Sequence, residues 1–346
     1  MRWLPQHKIS PIGLDLGSHS FKAAQALRSA SSQTLRTAVS LARRTPGAPL
    51  DAGDIDRLLG VLDRRGFVGR DVVVTVPAAT LLTTILELPA RAPGVPLEKI
   101  AAVEFSRVHK HEPAALTFST WDLPAPARAS KATYMLAVGA VSEKLEAHID
   151  LIESQGLNVV AIEEPYSAAA RGGCFFSKAQ SGFTAVIDMG WEKATLVILK
   201  ENTIVYTRKL SGSGIGHLYR ALSETSAGDA EALEHELWRV GFDELTPADL
   251  DNAAVLDTLE SHIAGATDEI RQAFGYTTHQ YPDAVISKAI VIGGGAQIPG
   301  LAGRLEKSLG VPTVIAGADA IASAGVPPLA SVASALGLAL FPGELR

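Results

Sequence analysis

The sequence predicts an α/β protein of two similar lobes, the first of which carries a small α+β insert. Three observations point to this. At 346 residues the chain is longer than one hydrophobic core usually serves. A strand ending in Asp15 and a turn through Gly17 is echoed by a strand ending in Asp188 and a turn through Gly190, and each runs on into another strand. Between the two echoes, residues 72–155 alternate strand-like and helix-like segments of their own.

Ile12–Leu16 and Phe21–Leu27, joined by a short Gly/Ser turn, read as a hairpin. Asp54–Arg65 has apolar residues at Ile55, Leu58, Leu59 and Leu62, a helical spacing, with Asp51 or Asp54 as its cap. Val72–Val76 and Leu81–Leu88 are strands stopped by Pro77 and Pro89. A helix over Leu97–His109 follows, then strands at Thr117–Leu123 and Thr133–Val141. Next comes a helix over Ser142–Gln155, with Ser142 as N-cap and Gly156 at its C-terminal end.

The chain then restarts, with a strand at Val159–Ile162 and a short helix at Pro165–Arg171. Strands at Thr184–Asp188, Thr195–Lys200 and Thr203–Leu210 come next, the last two joined through Asn202. Helical patterns fill much of His217–Tyr281, the longest over Ser261–Tyr276. Lys288–Ile292 is a buried-type strand feeding Gly293–Gly295, followed by a helix at Leu301–Leu309.

Composition narrows the function. A hydrophobic share of 47% with 20% charged residues is that of a globular protein. The net charge of -6 opposes a general affinity for nucleic acid, and the pairs Arg43–Arg44 and Arg64–Arg65 read as solvated helix faces. The single cysteine, Cys174, excludes an internal disulfide and fits a reducing compartment; it reads as a small buried apolar residue. The nine histidines show no H-E-x-x-H spacing. The first ten residues hold no apolar run of signal-peptide length. Ala320–Gly343 is free of charge but broken by Pro327–Pro328, so a loop and a buried helix over Leu329–Leu340 are expected instead of a membrane span.

The glycine turns carry the chemistry. A tight turn exposes backbone N–H groups that grip phosphate oxygens, and an aspartate at the strand end is placed to hold hydrated Mg²⁺. Gly293–Gly295 let a planar group lie against backbone. Ile298 spoils a G-x-G-x-x-G reading, and no G-x-x-x-x-G-K-[ST] occurs. Glu163 and Glu164, adjacent on a strand, point opposite ways and so do not form a carboxylate dyad.

These three glycine elements, in this order, resemble the superfamily of actin, the heat-shock chaperones and the sugar kinases. Within it the sequence resembles the PilM-type pilus assembly proteins, relatives of FtsA, from about Ile12 to Leu340. The likeness extends to Leu86–Pro89, the Ser142–Gly156 helix running into 158–170, and Ala335–Ala339. It implies an actin-like (ribonuclease H-like) fold. Residues 11–71 with 156–181 would form the first lobe, 72–155 the insert, 182–215 with 284–346 the second lobe, and 216–283 a mostly helical subdomain.

The resemblance also implies ATP and Mg²⁺. Asp15 and Asp188 would order the metal. Gly17, Ser18, Ser20 and Lys22, and on the other side Gly190 and Thr195, would face phosphates. Gly294, Gly295 and Ala296 would border the nucleoside, Glu269 would approach ribose or base, and Glu164 would orient an attacking water. Trp191, Glu192 and Lys193 depart from the small residues of the family, which points to nucleotide binding with weak ATPase activity at most.

The function implied is a cytoplasmic scaffold of type IV pilus or related secretion machinery. It would bind a PilN-like N-terminal cytoplasmic peptide of an inner-membrane protein and reach the membrane only through that partner, with self-association allowed. FtsA-like proteins end in an amphipathic membrane helix, which the terminal Phe341–Arg346 does not offer. A sugar-type kinase on the same fold and a scaffold that has lost nucleotide are the alternatives.

Overall fold

The computed structural model describes residues 8–29, 32–125, 132–177, 182–225, 237–239, 241–242, 253–282, 284–319 and 325–342. The first lobe opens with β1 (Lys8–Ile9), β2 (Ile12–Leu16), β3 (Ser20–Arg28), β4 (Gln33–Ala42), α1 (Ala52–Arg64) and β5 (Asp71–Thr75). Next come β6 (Leu82–Leu88), α2 (Leu97–His109), β7 (Leu116–Asp122) and β8 (Thr133–Val141), then α3 (Ser142–Glu153), β9 (Asn158–Glu163) and α4 (Pro165–Phe176). The second half holds β10 (Phe183–Met189), β11 (Ala194–Lys200), β12 (Thr203–Leu210), α5 (Ile215–Thr225), α6 (Ala253–Gln280), β13 (Ile286–Ile292), α7 (Leu301–Leu309), β14 (Thr313–Ile315) and α8 (Ala333–Ala339).

The duplication is written in the strand pairing. In the first sheet β4, β3 and β2 pair antiparallel, and β5 and β9 extend it in parallel. In the second, β12, β11 and β10 pair antiparallel, and β13 and β14 extend it in parallel. The first sheet's order therefore matches the second's strand for strand; β1 adds to β3 on one side. The buried faces read Val72, Val73, Val74 and Ala289, Ile290, Val291, the continuous apolar runs expected of parallel strands covered on both sides.

Helix α1 buries Ile55, Leu58 and Leu62 against the first sheet, and the Asp51 side chain caps it by accepting from the Asp54 N–H at 2.8 Å. A third sheet, in the order β6-β8-β7, packs Leu86, Leu88 and Met135 against Leu97, Ala101 and Phe105 of α2. The segment expected as the insert is divided by the structure. Strand β5 is hydrogen-bonded between β2 and β9, and Ile152 of α3 joins the first-lobe core, so β6 to β8 with α2 form the separate unit.

Several local expectations are corrected. Ser142 is the first helical residue and not the cap: Val141 takes the cap position and the Ser142 hydroxyl pairs with Thr117 at 2.9 Å. In the β11–β12 turn the left-handed residue is Glu201 (φ 56). Arg43 is not a solvated surface residue. It is buried, paired with Asp54 at 2.6 Å, and donates to the carbonyls of Ala48 and Pro49. Helix α4 runs on to Phe176, and α6 starts at Ala253. Within His217–Tyr281, residues 226–236, 240 and 243–252 lie outside the described residues, as do the first seven residues and the final 343–346. Among the described residues no helix is long and apolar enough to cross a membrane.

Helix α8, expected with the second lobe, lies against β2, β3 and β5 of the first sheet and alongside α4. Glycines make this possible, because α4 and α8 approach backbone to backbone. A methyl on Gly172 would overlap the Ala333 carbonyl, one on Gly337 the Ala168 carbonyl, and one on Gly13 the Ala335 carbonyl. Arg171 makes a two-pronged ion pair with Glu163 at 3.0 and 2.6 Å and also donates to the Gly337 carbonyl. Arg28 donates to the Phe341 carbonyl at 2.9 Å. Since overpacking a close contact costs about 1–3 kcal/mol, Gly337→Ala is expected to lower the unfolding free energy by about that amount, read from the urea midpoint at unchanged slope.

Candidate functional site

The two hairpins are built alike. In the first, Asp15 pairs across the ladder with Lys22, and in the second Asp188 pairs with Thr195, the same seven-residue separation. A methyl on Gly17 would press on the Ser20 carbonyl at 2.8 Å, and one on Gly190 on the Lys193 carbonyl at 2.7 Å. Glycine is thus required at the same place in each turn by the same close approach. The third element meets the second directly: Gly293 has φ 90 and a methyl there would overlap the Asp188 carboxylate. The Gly293 N–H donates to the Ala330 carbonyl at 2.9 Å, which ties this turn to the segment leading into α8.

The three turns border one cleft of about 920 Å³ between the lobes. Asp15, Gly17, Ser18, Ser20, Lys22, Asp188, Gly190, Thr195, Gly294 and Gly295 all line it. A side chain at Gly294 would meet nothing within 4 Å, so the backbone there borders open space. Three of the sequence-proposed residues are not brought there. Ala296 is buried beneath the turn. Glu269 is held by Arg208 at 3.1 Å. Glu164 caps α4, its two oxygens accepting from the N–H groups of Tyr166 (2.5 Å) and Ser167 (2.8 Å), so it is engaged away from the cleft.

Electrostatics mark the end of the cleft where the two hairpins meet. Burial, and next the field of Asp15, push the Asp188 carboxyl up to about 6, against the opposing pull of Lys22, Ser334 and Lys193. Lys22 sits 3.4 Å from Asp15. Burial, then Lys209, push the Lys193 ammonium down to about 8. Burial pushes Glu164 up to about 7. A buried carboxylate whose proton affinity is raised by burial and by a second carboxylate beside it forms a site that a divalent cation would relieve, and oxygen donors suit Mg²⁺. The chain's own residues therefore fit Mg²⁺ with a polyphosphate. Among the described residues no cluster of three or more His, Cys, Asp or Glu side chains is suited to a metal.

Sequence reasoning missed several lining residues. His19 lies inside the first turn and stacks on Trp191 of the second, ring centroids 3.9 Å apart and planes 21° apart. Trp191 stacks in turn on Tyr219 of α5 at 5.1 Å. Ser334 of α8 donates to Asp188 at 3.4 Å from 146 residues away, for which no sequence signal exists. Gln297, Trp238, Lys144 and His148 also line the cleft.

Two duplicated sheets closing on paired Asp-x-Gly hairpins define an actin-like fold. Solved structures agree with it. The "PilM-PilN type IV pilus biogenesis complex" matches with a TM-score of 0.74 at 19% identity, covering 96% of this chain and 98% of that one. MreB 5 of Spiroplasma citri bound to AMPPNP matches at 0.54 and 14% identity over 96% and 95%. The ethanolamine utilization protein EutJ from Carboxydothermus hydrogenoformans matches at 0.53 and 14% over 98% and 91%. No curated protein sequence matches the chain. The family described as "Type IV pilus assembly protein PilM" matches residues 13–324. The chain belongs to that family.

The raised Asp188 carboxyl fixes a pH dependence. A carboxyl that binds its proton more tightly in the folded chain than in the unfolded one weakens folding as pH rises from the usual carboxylate range to about 6. Asp188→Asn is expected to stabilise the ligand-free protein at neutral pH by roughly 1–3 kcal/mol. The gain should shrink toward zero near pH 4, as urea unfolding at the two pH values would register.

Proposed function

We propose that this chain is an ATP- and Mg²⁺-binding scaffold of a type IV pilus or related secretion assembly, docking the cytoplasmic N-terminal peptide of a PilN-like inner-membrane protein. The observation that carries the nucleotide reading is the convergence of two equivalent Asp-x-Gly hairpins and a third glycine turn on one cleft. Asp15 and Asp188 would hold the metal with its waters. Backbone N–H groups of the turns at Gly17 and Gly190, with Lys22 and Lys193, would meet the phosphates. The backbone at Gly294 and Gly295, which lines the cleft, would border the nucleoside.

When bound, Mg²⁺ supplies charge neutralisation for the phosphates. The chain's own residues would orient the polyphosphate from both lobes. Glu164, the carboxylate the resemblance assigns to an attacking water, has both oxygens engaged in capping α4, which supports slow turnover at most.

The partner reading is supported by family membership and by a second feature of the fold. A groove of about 500 Å³ runs between residues 81–85 of the insert and 205–209 of the second lobe. Consecutive residues on both sides line it, which is the mark of strand edges and not of sheet faces. Both β6 and β12 are terminal strands of their sheets. An open strand edge takes an extended peptide by strand addition. Attachment to the inner membrane would then be indirect, with the scaffold on its cytoplasmic face.

Calorimetric titration tests the nucleotide reading. Mg²⁺-ATP should bind, and Asp15→Ala and Asp188→Ala should each weaken binding by tenfold or more, a loss on the order of 1.4 kcal/mol. Absence of binding to the unsubstituted protein would sink it. The partner reading is tested with a synthetic PilN-type N-terminal peptide. Its affinity should fall about tenfold on Ile85→Arg, a residue 43% exposed at the groove.

A further inference from the structure

The rings of His19, Trp191 and Tyr219 form a column that belongs to both lobes, and we infer that it is a clasp controlling ligand exchange at the phosphate end of the cleft. This inference rests on the nucleotide reading of the cleft and adds its regulation. His19 stands at the tip of the first hairpin turn and Trp191 at the tip of the second, so their 3.9 Å stack joins the two elements that must separate when the lobes part. Tyr219, on α5, backs Trp191 from behind.

The backbone of each turn is held by its own lobe before the rings meet. The Arg43 N–H donates to the His19 carbonyl and the Gly47 N–H to the Ser18 carbonyl, both at 2.9 Å. Arg43 is itself buried and paired with Asp54. On the other side, Ile215 and Gly216 donate to the carbonyls of Gly190 (3.0 Å) and Trp191 (2.8 Å). The indole lies on Gly216, where a methyl would press on Nε1 at 2.6 Å. Glu192 follows Trp191 toward the first lobe, its Oε1 4.0 Å from where a side chain on Gly47 would begin. Because both turns are fixed in advance and the indole is backed by Tyr219 and Gly216, closing the rings together orders little besides the His19 side chain. A stacked aromatic pair adds to the burial of its area. Opening therefore requires unstacking, and a ligand held between Asp15 and Asp188 leaves only when it occurs.

The test follows release of a fluorescent N-methylanthraniloyl ATP with Mg²⁺, chased by unlabelled ATP in a stopped-flow instrument. Trp191→Ala should release it about tenfold faster and Trp191→Phe, which keeps a ring, close to the unsubstituted rate. Thermal melting checks that both variants fold. Equal rates for Trp191→Ala and the unsubstituted protein would overturn the clasp while leaving the nucleotide reading intact. Binding by Trp191→Ala alone would support a clasp that shuts the site, and would end the reading of a resident nucleotide. If no form binds, the nucleotide reading fails, and hydrogen exchange judges the clasp by itself. Amides 17–21 of ligand-free Trp191→Ala should then exchange several-fold faster, and unchanged exchange would overturn it.

Discussion

The backbone contact between α4 and α8 is the constraint on which the rest of the structure depends. Gly172 and Gly337 bring the two helices together without side chains between them, and Gly13 lets α8 settle on β2. That approach sets the height of α8 over the first sheet, where Leu336 and Ala339 meet Ala24, Ala26 and Ala38. The same helix presents Ser334 to Asp188, and the segment before it accepts the Gly293 N–H through Ala330. One short helix near the end of the chain thus touches the first sheet with one face and the second lobe's carboxylate with another. The cleft lies where it does because this helix joins the lobes along their base.

Above that base, the equivalent hairpins can face one another only if their carboxylates tolerate proximity. The cost is visible in Asp188, whose proton affinity rises with burial and with the charge of Asp15. A site that carries unfavourable charge in the free state gains most from a ligand that cancels it, as Mg²⁺ would. Trp191 fits the same logic from the opposite direction. Its ring stacks across the gap on His19, so the end of the cleft between the hairpins is both charged and bridged. Glu164, meanwhile, is drawn into helix capping.

Much of the fold was legible in the sequence because its signals are local. The Asp15 and Asp188 echoes gave the duplication. The pairs Ile12–Leu16 with Phe21–Leu27 and Thr184–Asp188 with Thr195–Lys200 gave the hairpins, and apolar spacing at Ile55, Leu58 and Leu62 gave α1. Illegible were features created by distant partners. Nothing near Arg43 announces that Asp54 will bury it, nothing near Glu269 predicts Arg208, and Ser334 meets Asp188 only through the tertiary fold. Glu164 illustrates a different limit. The family resemblance implied a role for it with an attacking water, and what the resemblance did not convey is that Pro165 starts a helix whose free N–H groups engage the carboxylate. The insert's limits were misplaced for a related reason, since β5 reads as a strand locally and only its pairing with β2 and β9 assigns it to the first sheet.

The account's central claim is that both hairpins grip one ligand from opposite lobes. Hydrogen–deuterium exchange with and without Mg²⁺-ATP addresses it most directly, read at residues 13–22 and 184–195 in the same experiment. The account predicts that exchange slows in both segments together and at the same nucleotide concentration. Protection confined to one hairpin, or absent from both, would contradict it.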